Sequence, residues 1–386
     1  MKSKVNNYIF FEQEWKSIED AEGEGNKEMR ETNISSDLTI LVPLKDRVQY
    51  TRRLVNYLDF IECPYKLLFA DGGQTPEAEE LLQDKNNFLN LDYEYIRYPY
   101  DATLSDFHKK MASAVSKIQT PFTLLHDNDD FFVLETVQKC IDFLIKNSDH
   151  SSARGRNFDF HLSNEIYGQL YISREMWLEF PDSVIGENTT TRLLDQCSRF
   201  HANSHNVRRT KNLQATFELI EIIDFVNYRF AHQAESFLNV AWGKSNRKIE
   251  GIQLLHQGTA PSIGSNHFPP QEEWIKADYW KNDFIGMMDL CGAVIHYFDD
   301  ISIEESRTIF ADAYVNKLPD LKELLANRIE ECKKEKINED RIGNLLQCIK
   351  KSQNKEDIVA KGQTEVNIST EQELNALQFF LNSNNR

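Results

Sequence analysis

The chain has 386 residues, of which 40% are apolar and 11% aromatic, so it is long enough to bury a large hydrophobic core. Its 61 acidic residues outnumber its 44 basic residues, and the net charge is -17 at pH 7. This charge argues against DNA, RNA or an anionic membrane surface as the main partner, and a phosphate-bearing ligand would need a metal ion or a few well-placed cations.

The six cysteines are scattered along the chain, without the spacing of a zinc site: Cys63, Cys140, Cys197, Cys291, Cys332 and Cys348. We therefore expect reduced thiols and a cytoplasmic location. No apolar run approaches the roughly eighteen residues of a membrane-spanning helix, so no transmembrane segment is predicted. Residues 1–36 are polar and charged, and they are predicted to form a poorly ordered leader.

Four strand–helix units follow one another in the first 150 residues. Apolar or alternating runs predict four strands, at 38–44, 65–70, 91–97 and 122–125. Helical spacing of apolar residues follows each strand, at 48–61, 76–87, 104–118 and from 133 onwards. Strands that alternate with helices in this way predict a parallel sheet with right-handed crossovers.

The pattern is less regular beyond residue 150. Further strands are predicted at 153–158, 166–172, 201–209 and 249–255. Helices are predicted at 187–200, 212–225 and 229–242, and the chain is mainly helical from 270 onwards. The sequence contains no internal repeat.

Polar residues follow three of the predicted parallel strands, at 43–46, 71–73 and 126–130. In parallel sheets, ligands bind outside the carboxyl ends of the strands. Because these ends share one edge of the sheet, the three segments predict a single binding site.

The third segment holds three carboxylates within four residues, Asp127, Asp129 and Asp130. If this loop is extended, Asp127 and Asp129 face one ion and Asp130 turns back toward the scaffold. Such crowded like charges are relieved by a bound divalent cation. A solvated acidic turn and a helix N-cap are the alternatives.

With these residues described, the chain resembles the bacterial family-2-like glycosyltransferases of the GT-A fold over roughly residues 37–260. The resemblance is carried by residues 39–47, 69–73 and 120–130, in this order. It implies an α/β fold, with a Rossmann-like, mostly parallel sheet flanked by helices.

The same resemblance implies a division of the chain. Residues 37–268 would form the glycosyltransferase domain, with a nucleotide-sugar-binding half at 37–150 and an acceptor half at 151–268. Residues 269–386 would form a helical C-terminal region, and self-association through these helices is a further expectation.

The resemblance also implies a nucleotide-diphosphate sugar as donor. The base would lie near Asp71 and Gly72, with the loop from Pro43 to Asp46 beside it. One departure from the family is the segment at 101–110, which replaces an Asn- and Gly-rich helix start and leaves the donor contacts there open.

The acidic run would bind the ribose and hold Mg²⁺ or Mn²⁺ on the diphosphate, through Asp127 and Asp129. A late histidine, His256, would be an additional metal or diphosphate ligand, although a histidine at a strand end is more often a hydrogen-bonded surface residue. Oxygen ligands suit either metal.

An inverting transfer needs a base that accepts the proton of the attacking hydroxyl. Glu235 is the best match to the family's helix-borne carboxylate, and Asp224, Glu221 and Glu187 are its rivals. The alternative for Glu235 is an exposed helix carboxylate without a catalytic role, as most glutamates are.

These features favour a metal-dependent, inverting glycosyltransferase of surface or secreted polysaccharide synthesis, with a glycan or lipid-linked acceptor. A nucleotidyltransferase or other sugar-nucleotide enzyme is the alternative, although the Gly-rich phosphate loop expected after the first strand is missing. A phosphatase would want its nucleophilic aspartate on the first strand, and here the acidic run follows the fourth. A non-catalytic relative that binds glycan is the third reading.

Overall fold

The structure is a computed structural model that describes residues 37–176, 182–258, 269–362, 366 and 368–384. The predicted leader at 1–36 lies outside the described residues, as do 259–268 at the end of the expected acceptor half. Among the described residues, no helix is long and apolar enough to cross a membrane.

The elements below are numbered in chain order within the described ranges. The strands are β1 (Leu38–Leu44), β2 (Lys66–Asp71), β3 (Tyr93–Arg97), β4 (Phe122–Leu125), β5 (Phe131–Phe132), β6 (His150–Ala153), β7 (Arg156–Leu162), β8 (Leu170–Glu175), β9 (Val207–Arg209), β10 (Lys244–Asn246) and β11 (Ile252–His256). The α-helices are α1 (Val48–Phe60), α2 (Glu77–Leu82), α3 (Leu104–Ser116), α4 (Leu134–Lys146), α5 (Thr189–Ser198), α6 (Thr210–Ile223), α7 (Tyr228–Ala241), α8 (Gln271–Lys276), α9 (Trp280–Asp299), α10 (Ile303–Tyr314), α11 (Lys322–Lys333), α12 (Glu339–Gln353) and α13 (Thr370–Ser383).

The main sheet has the strand order β10-β6-β9-β4-β1-β2-β3. Strand β1 pairs in parallel with both β2 and β4, and β2 pairs in parallel with β3. The predicted parallel core is therefore confirmed. Strand β9 was not expected between β4 and β6, and it runs antiparallel to both.

Strand β1 is buried on both faces, as its continuous apolar sequence predicts. Leu38, Ile40 and Val42 face a core formed with α1, α2 and α4, whereas Leu41 faces a core formed with α3 and α6. Helices thus cover both sides of the sheet, and the mostly parallel α/β architecture expected from the resemblance is confirmed.

Three strand predictions beyond residue 150 are wrong in extent. The strand predicted at 153–158 is two strands, because the chain passes from one sheet to the other at Gly155, where a Cβ would lie 2.4 Å from the Thr136 side chain. Most of 201–209 is a loop whose backbone carbonyls accept side-chain hydrogen bonds from Gln196 and Arg208. The strand predicted at 166–172 begins only at residue 170, after a hairpin turn.

A second sheet has the order β5-β11-β7-β8. Its short strand β5, which was not predicted, directly follows the acidic run and pairs antiparallel with β11 through Phe131 and Leu255. Because β11 ends at His256, this pairing carries that histidine to the acidic run.

The C-terminal region is helical, as expected. Helices α9 to α12 share a core with α5 and α7, in which the large side chains of Trp274, Trp280 and Phe284 are fully buried. The last helix, α13, packs instead on the first core through Leu377 and Phe380. The expected division at residue 268 stays a prediction about domains.

Helix α13 carries a buried carboxyl group, that of Glu373, which is 1% exposed. Its Oε2 accepts a hydrogen bond from the Leu134 backbone N–H at 2.8 Å, at the start of α4. Burial, opposed by this bond and supported by the charge of Glu135, raises the pKa of Glu373 to about 8 from an ordinary 4.5. The folded protein therefore binds a proton here that the unfolded chain releases above pH 4.5.

We expect wild-type stability to fall between pH 4.5 and 8 through this group, since the folded state holds the extra proton across that window. Glu373→Gln should reduce the fall by up to ~1.4 kcal/mol per pH unit. Thermal unfolding at pH 5.5 and pH 8 checks this. Glu371→Gln, an exposed position on the same helix, is the control, and an equal pH dependence in all three proteins would contradict the prediction.

Candidate active site

The ends of β1, β2 and β4 lie together because of the strand register. Leu44 is paired with Asp71, and Leu41 is paired with Leu125. The polar residues that follow the three strands therefore share one edge of the sheet, as the sequence predicts.

Asp71 shapes the turn at the end of β2. It is 1% exposed, and its carboxylate accepts hydrogen bonds from the Gly73 backbone N–H at 2.7 Å and the Tyr95 hydroxyl at 2.6 Å. It also forms an ion pair with Arg97, which donates a further bond to the Gly73 carbonyl at 2.7 Å. Both oxygens of Asp71 are thus engaged within the protein, whereas the Arg97 side chain stays 30% exposed.

Close contacts surround this turn, one from Asp101 before α3 and one from Asp46 in the first loop. A Cβ at Gly72 would lie 2.4 Å from the Asp101 carboxylate, so only glycine fits there. Asp46 has a left-handed backbone (φ 57°), and its Oδ1 accepts a bond from the Gln74 N–H at 2.8 Å. Pro43 is paired with Ala70 in the sheet beneath.

The segment that departs from the family supports the same loops. Lys110 is buried on α3, and its Nζ donates to Asp101 Oδ2 at 2.5 Å and to the Leu44 carbonyl at 3.0 Å. Lys45 donates to the Asp101 carbonyl at 2.6 Å. Two lysines and one aspartate therefore connect the end of β1 to the start of α3.

The acidic run is a turn rather than an extended loop, because the Asp130 N–H donates to the Asp127 carbonyl at 3.4 Å. The expected alternation of side chains is therefore wrong. The Asp129 carboxylate accepts a bond from Arg47 at 2.8 Å, and its side chain is 8% exposed. Asp127 stays 53% exposed.

Asp130 is fully buried at the base of the turn. Its carboxylate accepts a bond from His256 Nδ1 at 3.0 Å and another from the Gln257 backbone N–H at 2.8 Å. The buried ring of His126 contacts the Asp130 carbonyl through Nε2 at 3.2 Å. His256 is thus held against a carboxylate of the acidic run.

Asp127, Asp130 and His205 offer ligand atoms that all lie within 4.8 Å of one another. His205 lies in the loop before β9, and its Nδ1 is 3.3 Å from the Leu125 carbonyl. Because a carbonyl only accepts, Nδ1 carries the hydrogen, and Nε2 is directed toward Asp127 Oδ2 at 3.9 Å. This arrangement is typical of a histidine oriented to bind a metal.

Burial, hydrogen bonds and neighbouring charges shift the pKa values of these groups. The pKa of Asp127 is raised to about 6 by burial and by the charges of Asp130 and Asp129, against the opposing effect of His205. Against the effect of burial, the hydrogen bond from His256 lowers the pKa of Asp130. Burial alone would lower the pKa of His256, but its bond to Asp130 raises it to about 9.

Glu235 lies on α7, with its side chain 11% exposed. Its Oε1 is 2.7 Å from Arg208, and its Oε2 accepts a bond from the Ser204 hydroxyl at 3.4 Å. Ser204 precedes His205, so one short loop contacts Glu235 and approaches Asp127. The charges of Asp127 and Glu235 also both act on the nearby Tyr228 hydroxyl, whose pKa burial raises.

The rival carboxylates lie elsewhere. Glu187 is 88% exposed and pairs with Lys244 at 3.2 Å. Glu221 is exposed in a surface groove between α6 and α12. Asp224 is exposed at the end of α6, where it adopts a left-handed conformation.

The sequence predicts Asp130 to face the scaffold, and its candidate site residues do not include His205, Arg47 or Arg208. The polar segment at 201–209 was the available signal, because it contains both His205 and Arg208. Its relevance depends on β9 lying beside β4, which the sequence does not reveal.

A comparison of the sequence with models of protein families finds no match. A comparison with curated protein sequences likewise finds none.

Comparison with solved structures finds similar chains. S. aureus TarS is matched over 80% of this chain with 13% identity and a TM-score of 0.42, and this chain spans 55% of the length of TarS. TarS 1-349 in complex with UDP-GlcNAc is matched over 87% of this chain and 97% of its own length, with 12% identity and a TM-score of 0.44. Mannosyltransferase PcManGT from Pyrobaculum calidifontis, in complex with GDP-Man and Mn2+, gives 82% and 75% coverage, 7% identity and a TM-score of 0.33. Shared activity does not follow from similarity at this level.

Asp71→Ala should destabilise the protein by about 1–3 kcal/mol, because it leaves Arg97, Tyr95 and the Gly73 N–H without their common acceptor. Urea unfolding checks this value. Glu94→Ala, on the neighbouring strand with a 51% exposed side chain, is the control. Equal stability of the two variants would contradict the structural role of Asp71.

Proposed function

We propose that this protein is a metal-dependent glycosyltransferase, which moves a sugar from a nucleotide-diphosphate sugar to a hydroxyl of a glycan or lipid-linked acceptor. The observation that supports this most directly is the group of Asp127, Asp130 and His205, located at the carboxyl edge of a parallel sheet. The turn at 71–73 lies two strands away on the same edge, where a nucleotide would bind.

The donor set fits a divalent cation. Two carboxylates and one imidazole converge, and a cation between them would offset the negative charges of Asp130 and Asp129, which add to the effect of burial in raising the pKa of Asp127. Mn²⁺ or Mg²⁺ suits the carboxylates, and Mn²⁺ also accepts the imidazole. His256 would then orient Asp130, and Asp129 would stay bound to Arg47. When bound, the metal would stabilise the charge on the departing diphosphate.

The protein's own residues account for donor placement. The nucleoside would lie against a surface formed by the loop from Pro43 to Asp46 and the turn with Asp71 and Gly72. Arg47 lies between this surface and the acidic turn, since its guanidinium contacts Asp129. It is a local cation that would face phosphate in a protein whose net charge is -17.

Glu235 would accept the proton. In an inverting transfer, the acceptor oxygen bonds to the anomeric carbon as the bond from that carbon to the diphosphate oxygen breaks, and the hydroxyl proton passes to the carboxylate. Arg208 fixes one oxygen of Glu235 at 2.7 Å, which orients the carboxylate for this role.

The alternatives receive less support. A nucleotidyltransferase needs a Gly-rich phosphate loop after β1, and here residues 45–47 lead directly into α1 without a glycine. A role in surface or secreted polysaccharide synthesis rests on the resemblance alone. A cytoplasmic location is supported by the six cysteines, all buried and free.

Asp127→Asn should weaken Mn²⁺ binding by more than the ~10–100-fold typical of residues that only orient a ligand, because it removes a charged ligand. Asp129→Asn is the matched control, since the carboxylate of Asp129 is bound to Arg47, and it should change the Mn²⁺ affinity less. Isothermal titration with Mn²⁺ measures both. A larger loss of Mn²⁺ affinity in Asp129→Asn than in Asp127→Asn would instead indicate Asp129 as the metal ligand.

Glu235→Gln should lower kcat by roughly two to four orders of magnitude, the usual contribution of a positioned proton acceptor, with donor affinity nearly unchanged. Glu187→Gln and Glu221→Gln are the controls, because both side chains are exposed and lie elsewhere. Steady-state kinetics with donor and acceptor separates kcat from binding. An active Glu235→Gln enzyme would exclude this residue as the base.

A further inference from the structure

Arg53 lies on α1 behind the acidic turn, with no accessible surface. Its Nη2 donates to the Asp129 carbonyl at 2.6 Å. Its Nη1 donates to Gln257 Oε1 at 2.7 Å and to the Ile166 carbonyl at 3.1 Å. All three acceptors are neutral oxygens, so Arg53 places a buried positive charge behind the turn and bonds the turn to Gln257 and to the loop with Ile166.

Gln257 completes the support. Its backbone N–H donates to Asp130 Oδ1 at 2.8 Å, while its side-chain Nε2 donates to the Glu165 carbonyl at 2.8 Å. Arg53 therefore fixes the backbone of the turn at Asp129, and its partner Gln257 fixes the carboxylate of the next residue. Two adjacent residues of the turn are held from one side.

The carboxylates of the turn also act on this buried charge. Burial lowers the pKa of Arg53 to about 10, and the nearby charges of Asp129 and Asp130 oppose this, so the guanidinium stays protonated at neutral pH. The rings of Phe131 and Tyr50 lie against it, with centroids 4.8 and 5.3 Å from Cζ. A buried charge adds little stability compared with apolar packing, so the presence of an arginine at this buried position needs another explanation.

The loop that accepts a hydrogen bond from Arg53 is itself bound to the C-terminal helix α13. The loop at 163–168, which provides the Ile166 carbonyl, ends at Gly168, whose N–H donates to the Leu381 carbonyl on α13 at 3.1 Å. Gln378 on the same helix accepts the Leu170 N–H at 3.0 Å. The loop is therefore a fixed anchor for Arg53.

We propose that Arg53 is a positioning residue, which holds the acidic turn in the shape that brings Asp127 and Asp130 together. The metal-binding consequence rests on the proposed function, whereas the effect on the turn itself does not. The guanidinium does not reach the converging ligand atoms; it acts through the Asp129 carbonyl and through Gln257.

Two variants test this role. Arg53→Met removes the charge and all three hydrogen bonds, and it should raise the Mn²⁺ dissociation constant about 10–100-fold, as expected for a residue that orients ligands. Arg53→Lys keeps the charge without the planar fork, so its effect should be intermediate. At limiting Mn²⁺ both variants should therefore turn over more slowly than the wild type, and saturating Mn²⁺ should restore much of the kcat lost in this way.

A metal-free measurement complements the affinity. Backbone amide exchange at residues 128–130 of the apo protein should be faster in Arg53→Met than in the wild type, since the turn loses its anchor. Arg307→Met is the matched control, because Arg307 is also buried, at 5% exposed, in the helical region, where it pairs with Asp289. It should lower stability without changing exchange in the turn or Mn²⁺ affinity.

The outcomes separate this inference from the proposed function. Wild-type exchange and wild-type Mn²⁺ affinity in folded Arg53→Lys and Arg53→Met would overturn the positioning role. Faster exchange in a protein that binds no Mn²⁺ even as wild type would support the positioning role and contradict the metal assignment. If Arg53→Met fails to fold, Arg53→Lys and Gln257→Leu decide by the same two measurements.

Discussion

The hydrogen bonding of β1 to β2 on one side and to β4 on the other is the constraint on which the site depends. This register places the loop with Asp46, the turn at Asp71 and the acidic turn on one edge. The insertion of β9 beside β4 adds His205 and Arg208 to the same edge, and Arg208 in turn contacts Glu235. A change in strand order would separate these groups, whatever their local conformation.

Within that frame, counter-charges decide which carboxylate is available. Arg47 pairs with Asp129, and His256 bonds to Asp130, which stays ionised although buried. Asp127 has no such strong partner among the described contacts except His205 at 3.9 Å, and its pKa is raised. The site therefore has unbalanced negative charge at its exposed end, which a cation would neutralise.

The strands β1 to β4 could be predicted to within about two residues, because buried parallel strands are continuous or alternating apolar runs that local sequence reveals. For β9, the sequence predicts a strand at 201–209 but neither its three-residue extent nor its position beside β4, because two of its three residues are arginines and its pairing partners lie far along the chain. The extended loop expected at 127–130 is a turn, because the Asp130 N–H bonds to the Asp127 carbonyl, so the strand-like alternation of these side chains does not apply. The proposed role of Arg53 could not be predicted either, because its hydrogen-bond partners lie 76 to 204 residues away in the sequence.

Asp127, Asp130 and His205 are the proposed ligands of a divalent metal. Pulsed electron paramagnetic resonance of the Mn²⁺-loaded protein tests this assignment most directly, because a bound imidazole couples its nitrogen to the electron spin. We predict a nitrogen coupling that is lost in His205→Ala and retained in His256→Ala. A coupling that survives in His205→Ala and disappears in His256→Ala, or the absence of bound Mn²⁺, would contradict this assignment.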